Sequence, residues 1–366
     1  MNQPFVIDQL PDRTIEYQGQ AYLFFSGTAY LGLAQHSDFQ ELLSSAMRQY
    51  GSVFGSSRNG NLQLKIYEEA EVKLAASVAN EPIDTPTALT LSSGMMAGQV
   101  VVSWLQKQGT TFVYAPKAHP ALWHEPLVTL PALSFSDWVA QLPSQLQALP
   151  PGPVAILVNS LDAVWSEYYS FDWINDLPTD RPITLVVDDS HGLGVLNNGR
   201  GIWPQLTQKR LSASTRLIVT ASLAKAMAMP GGIVFSKSNI IAELRRTAFF
   251  GACSPMPPAY LAAYMQASAL YVQGQKRLQE NTRLAEELLL PTGLFRQARG
   301  YPVFFTEHDD LYAYLLERGI FIYSFAYPTA ADRANTRIVI SAFHTSDDIR
   351  EIAKWCSADR DGRVKL

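Results

Sequence analysis

A chain of 366 residues exceeds what one ordinary hydrophobic core supports, so two domains are expected. With 47% hydrophobic and 17% charged residues it can bury a sizeable interior, and a net charge of -4 offers no basic excess for nucleic-acid phosphates. Cys253 and Cys356 form neither a disulfide framework nor a metal spacing and suit a reducing cytoplasm, the expected location. The N-terminal stretch carries proline and acids without the apolar segment of a secretory signal. No apolar run approaches the roughly 20 residues of a membrane helix, so no membrane partner is expected.

Along the chain, short apolar runs recur at 88–91, 111–115, 154–158, 183–187, 217–221 and 232–235. Rich in Val and Ile and without polar alternation, they read as strands buried on both faces. The intervening segments suit helices, which together predicts an α/β fold: a mainly parallel central sheet flanked by helices. In such sheets ligands sit beyond the carboxyl ends of the strands. From about Pro257 the texture changes. Pro257-Pro258 can open a helix, 259–290 suits a long connecting helix, and strand candidates at 303–305 and 337–341 flank a helical stretch at 310–318. The expected division is an N-terminal arm over 1–40, a large domain over 41–256, and a linking helix with a smaller C-terminal α+β domain over 257–366. The pairs Lys209-Arg210 and Arg245-Arg246 read as solvated helix faces.

Three strand ends carry chemistry. The 183–187 run leads into Asp188-Asp189-Ser190-His191-Gly192-Leu193-Gly194, where adjacent carboxylates and a histidine are costly to bury without partners. Metal binding, a carboxylate facing a cationic ring, and a plain capped turn all fit that segment. The 217–221 run leads into Ser222-Leu223-Ala224-Lys225, whose lysine is flanked by small and apolar residues. Desolvation favours the neutral, nucleophilic amine, whereas the bland alternative is a snorkelling surface lysine. After the 88–91 run, Ser92-Ser93-Gly94-Met95 opens a helix whose first N–H groups could face an anion, or could simply be capped. No Walker loop, completed GxGxxG or HExxH is present. Anion cradle, carboxylate, histidine and amine together suit pyridoxal phosphate, whose aldehyde needs an amine and whose ring nitrogen needs a carboxylate.

The ordered motifs then resemble the α-oxoamine synthases, a branch of the fold-type I pyridoxal-phosphate transferases. Val187-Asp188-Asp189-Ser190-His191-Gly192-Leu193-Gly194 is similar to V-D-[DE]-A-H-[GS]-x-G, and Ser222-Leu223-Ala224-Lys225 to [TS]-x-x-K. Tyr30-Leu31-Gly32-Leu33 matches Y-L-G-L, and Gly55-Ser56-Ser57-Arg58 the G-[SG]-x-R turn. The resemblance implies that Lys225 carries the cofactor as a Schiff base, Asp188 pairs with the ring nitrogen, His191 bonds the phenolic oxygen, and His119 stacks on the ring. It implies further cofactor contacts from Gly94, Met95, Ser166, Ser222 and Ser254, with Ser254 supplied by the neighbouring subunit of a homodimer. Arg337 would grip the amino-acid carboxylate, and Thr329 aligns on a substrate contact.

The implied reaction condenses a small amino acid with an acyl-CoA, with decarboxylation, to an α-amino ketone. Three departures bear on the acyl donor. About a further turn or two of N-terminal helix, expected from the resemblance before the position of Arg13, is missing, N-D-Y reads Thr28-Ala29-Tyr30, and Tyr67 stands where the family has histidine. These leave open another reaction on the same cofactor: transamination, decarboxylation or aldol cleavage. A silent cofactor-binding protein is the alternative of a different class.

Overall fold

The computed structural model describes residues 5–326 and 334–358. All six apolar runs become strands of one sheet, ordered Thr87–Leu91, Gly232–Ser236, Thr215–Ser222, Ile183–Asp188, Val154–Asn159, Thr111–Tyr114. Gly232–Ser236 is antiparallel to both neighbours, and the remaining pairings are parallel. The mainly parallel α/β expectation therefore holds. Every residue of Ile183–Asp188 is buried, which is why that run shows no polar alternation. Leu89, Leu157, Val186, Ile218 and Val234 of the sheet share one core with Val101 and Leu105 of the helix Gly94–Lys107. Each such side chain contributes about 1.5–3 kcal/mol by leaving water.

The chain divides into two compact units. The larger holds residues 41–162 and 168–268, and the smaller holds the described residues of 5–40, 163–167, 269–326 and 334–358. The smaller unit has its own sheet, ordered Thr14–Tyr17, Gln20–Phe25, Ile320–Ala326, Ala334–Val339, Val303–Thr306. Gln20–Phe25 pairs in parallel with Ile320–Ala326, and the other pairings are antiparallel. The N-terminal stretch is thus built into a sheet, not left as an arm, because Phe25 enters a core with Ile322, Ile338 and Leu289.

The connecting helix is also not continuous. Pro258–Gln266 and Ser268–Leu289 are separate helices, and the boundary between units falls at Ser268, later than the position 256 read from composition. The break coincides with a contact distant in sequence: Lys73 Nζ donates to the carbonyls of Tyr264 and Met265 and to the Ser268 hydroxyl, at 3.2, 2.8 and 2.7 Å (sequence separations 191, 192 and 195). A cation on the last carbonyls of a helix satisfies groups that would otherwise continue it. Arg245 likewise departs from its reading as a solvated residue. It turns inward to Glu71 Oε2 at 2.6 Å, while Lys209 pairs with Asp172 at 2.6 Å.

Candidate active site

The carboxyl ends of five parallel strands share one edge of the large sheet, and polar residues gather there. In register across three strands stand Leu91, Gly232 and Ser222. Ser93 caps the following helix, accepting the Met96 N–H at 3.1 Å. Two glycines let this turn close. A Cβ on Gly232 would lie 2.1 Å from the Ser93 carbonyl oxygen, and one on Gly94 would lie 2.7 Å from the Ser222 Cβ. The helix N-terminus is therefore pressed against Ser222 as only glycine allows.

Asp188 ends its strand opposite Asn159 and Thr220. It is 6% exposed and its Oδ1 accepts the Ser190 N–H at 2.9 Å. Its other oxygen faces His119, with Nδ1 at 3.7 Å. Asn159 sets the histidine's position: its Oδ1 accepts the His119 backbone N–H at 3.0 Å, and its Nδ2 donates to the Lys117 carbonyl at 2.7 Å. His119 Nδ1 accepts the Ala121 N–H at 3.1 Å. In the neutral ring that bond leaves the proton on Nε2. Burial holds the His119 pKa below the ordinary histidine value, Asp188 opposes this, and the charge of Lys225 adds to the lowering. Lys225 thus lies within electrostatic range of the same histidine, half-buried in the turn after Ser222.

Asp189, the second carboxylate, has a different task. It is buried, and burial pushes its pKa up to about 7 against the hydrogen bonds from Ile202 and Ser160, with Asp188 adding to the rise. Its Oδ2 accepts the Ile202 N–H at 2.8 Å, and its carbonyl accepts from Gly192 and Leu193. A Cβ on Gly192 would fall 1.9 Å from Asp189 Oδ1 and one on Gly201 2.1 Å from Oδ2. Asp189 braces the 192–202 turn, and Asp188 is the carboxylate that meets the histidine.

The larger unit thus brings together Asp188, His119, Lys225, Ser222 and Gly94. His191 is half-buried in the turn after Asp188, and Met95 is 48% exposed beside Gly94. Ser254 is exposed. Ser166 and Arg337 belong to the smaller unit. Ser166 is buried, its hydroxyl donating to the Val303 carbonyl at 2.6 Å and accepting the Ala298 N–H at 3.1 Å. Arg337 is 7% exposed, stacked 4.0 Å over the Tyr323 ring, with Nη1 donating to the Ala163 carbonyl at 2.8 Å. Its buried Nε has no hydrogen-bond partner among the described residues. Thr329 lies outside the described residues. Asn159 escaped the sequence reading, although a polar residue directly after the 154–158 run was the available signal.

A sheet of this topology with its polar groups at the strand ends defines a class, and the comparisons with known proteins agree. The chain belongs to the aminotransferase class I and II family, whose model matches residues 23–355, and within it to the α-oxoamine synthase branch of the fold-type I enzymes. It is 28% identical to serine palmitoyltransferase of Bacteroides thetaiotaomicron over 92% of this chain and 86% of that protein. It is 26% identical to 8-amino-7-oxononanoate synthase of Aliivibrio fischeri over 95% of this chain and 92% of that one. Among solved structures, serine palmitoyltransferase of Sphingomonas wittichii matches with a TM-score of 0.78 at 17% identity, covering 98% of this chain and 92% of the other. The 8-amino-7-oxononanoate synthase of Francisella tularensis matches with a TM-score of 0.67 at 22% identity, covering 93% and 98%. The structural likenesses establish the fold. No helix among the described residues is long and apolar enough to cross a membrane, and no three or more of their His, Cys, Asp and Glu side chains cluster as metal ligands would.

Proposed function

We propose that this chain is a pyridoxal-phosphate acyltransferase that condenses a small amino acid with an acyl-CoA, releasing carbon dioxide and CoA and giving an α-amino ketone. The observation that carries the proposal is the convergence of Asp188, His119 and Lys225 beside the helix start pressed on Ser222. These residues fit the cofactor: Gly94 and Gly232 let the helix start close against Ser222, and the donors there are N–H groups and hydroxyls suited to a phosphate. Bound there, pyridoxal phosphate supplies an aldehyde for an amine and a cationic ring that withdraws electrons from the substrate's α-carbon.

Lys225 is the amine that would carry the cofactor and exchange it for the substrate amine. Asp188 would hold the ring nitrogen's proton, its orientation fixed by the Ser190 N–H. His119 would lie against the ring, neutral and with its proton on Nε2, since Nδ1 is committed to Ala121. Proton transfer at the substrate carbon falls to the Lys225 amine. Arg337 would bind the amino-acid carboxylate, and its unpartnered Nε is a donor that a carboxylate can satisfy. His191 would bond the ring's phenolic oxygen, Met95 and Ser166 would contribute cofactor contacts, and the exposed Ser254 would serve the partner subunit of a homodimer.

A second reading, another reaction on the same cofactor, is favoured by Tyr67. Its hydroxyl donates to the Met256 carbonyl at 2.7 Å and its ring lies 4.4 Å under Arg58, so a family histidine's place is filled by a structural tyrosine. A donor screen separates the two. Free CoA released from acyl-CoA in an amino-acid-dependent manner supports the synthase. A spectral change with amino acids but no CoA release from any donor supports the alternative, and no spectral change with any amine leaves a silent binding protein.

A further inference from the structure

Only the backbone N–H of Ser190 enters the reading above, yet its side chain sits where two parts of that site meet. It stands where the resembled motif carries alanine, so its hydroxyl is an addition of this chain. Its backbone N–H donates to Asp188 Oδ1 and its hydroxyl oxygen accepts the Ser222 backbone N–H, both at 2.9 Å. One residue therefore ties the carboxylate at one strand end to the serine at the next. Ser222 in turn is the residue that Gly94 abuts at the helix start.

A hydroxyl offers one proton and two lone pairs. Accepting from Ser222 consumes a lone pair and leaves the proton, for which no acceptor stands among the described residues. The residue is 8% exposed, so bulk water does not readily take that proton either. A donor in this setting, beside a helix N-terminus, is complemented by an anionic oxygen.

We propose that Ser190 is an additional hydroxyl of the phosphate cradle, fixing the Ser222 backbone against Gly94 and giving its own proton to a phosphate oxygen. The inference rests on the pyridoxal-phosphate reading, so the test begins with the wild-type protein: an adduct on Lys225 after reduction establishes that reading independently of Ser190. Binding of pyridoxal phosphate and of pyridoxal, which lacks the phosphate, is then measured by fluorescence for wild type and Ser190→Ala. Loss of one hydrogen bond to a charged group weakens pyridoxal phosphate by about tenfold while pyridoxal changes less than about twofold. The ratio of the two affinities is read within one protein, so a reduced folded fraction cancels. An unchanged affinity for pyridoxal phosphate, or equal weakening of both compounds, would overturn the proposal and leave Ser190 a prop of the turn.

Discussion

Acidification should destabilise the smaller unit through one side chain, His344. The residue is 1% exposed and stacks on Phe25 with ring centroids 4.2 Å apart. Its Nδ1 accepts the Ser341 N–H at 3.0 Å, and its Nε2 donates to the Phe24 carbonyl at 2.9 Å. Protonating Nδ1 must therefore break a hydrogen bond as well as bury a charge. Burial is the main cause that lowers the pKa from 6.5 to about 4, against the pull of the Phe24 bond and Asp348. Between those two values the unfolded chain binds more protons than the folded one, so stability rises with pH. The contribution is complete above the unfolded value near 6.5 and disappears as the pH falls through about 4. At about 1.4 kcal/mol per unit this amounts to roughly 3 kcal/mol in all, and about 2 kcal/mol of it is gone by pH 5. Urea unfolding at pH 7.5 and pH 5 should show this loss in wild type. His344→Gln, which keeps a donor and an acceptor but does not titrate, should be less stable at pH 7.5 and flatter with pH by about 2 kcal/mol. Equal pH slopes in the two proteins, or a His344 ring titrating near 6.5 by NMR, would refute the reasoning.

Glu71 is a second point of sensitivity. Its buried carboxylate serves Arg58 at 2.5 and 3.1 Å, Arg245 at 2.6 Å and the Thr90 N–H at 2.7 Å. Glu71→Gln leaves two guanidinium groups uncompensated and should cost about 3–5 kcal/mol, lowering the melting temperature by about 10 °C in a thermal scan. A shift below about 2 °C would show that the charge is dispensable. Gly94→Ala puts a Cβ 2.7 Å from Ser222 Cβ and 2.9 Å from its Cα, so the cradle must open. Titration with pyridoxal phosphate should show binding weakened by about tenfold or more, and wild-type affinity would contradict the cradle.

What the sequence disclosed and what it hid follow from the range of the interactions involved. The strands of the larger unit were legible because burial on both faces writes itself as unbroken apolar runs, with Asp188 and Ser222 marking where they stop. The pairing of Gln20–Phe25 with Ile320–Ala326 left no local mark, since a parallel partner some 300 positions distant is chosen by the shared core and not by adjacent residues. The helix break at Ala267 was invisible for the same reason, its contact with Lys73 being distant in sequence. Glu71 was missed despite a readable sign: it lies four residues after Tyr67 and three before Leu74, on the buried stripe of its helix. The motif resemblance had set Asp188 apart but gave Asp189 no task; the direction of its side chain, into the 192–202 turn and not toward His119, supplied one.

The central claim is that Lys225 is the amine that holds the cofactor. Reducing the purified, pyridoxal-phosphate-loaded protein with borohydride and mapping its peptides by mass spectrometry tests it most directly. The account predicts one phosphopyridoxyl group per chain, on Lys225, and a colourless Lys225→Ala protein. An adduct on any other lysine, or none under conditions where the cofactor is bound, would contradict it.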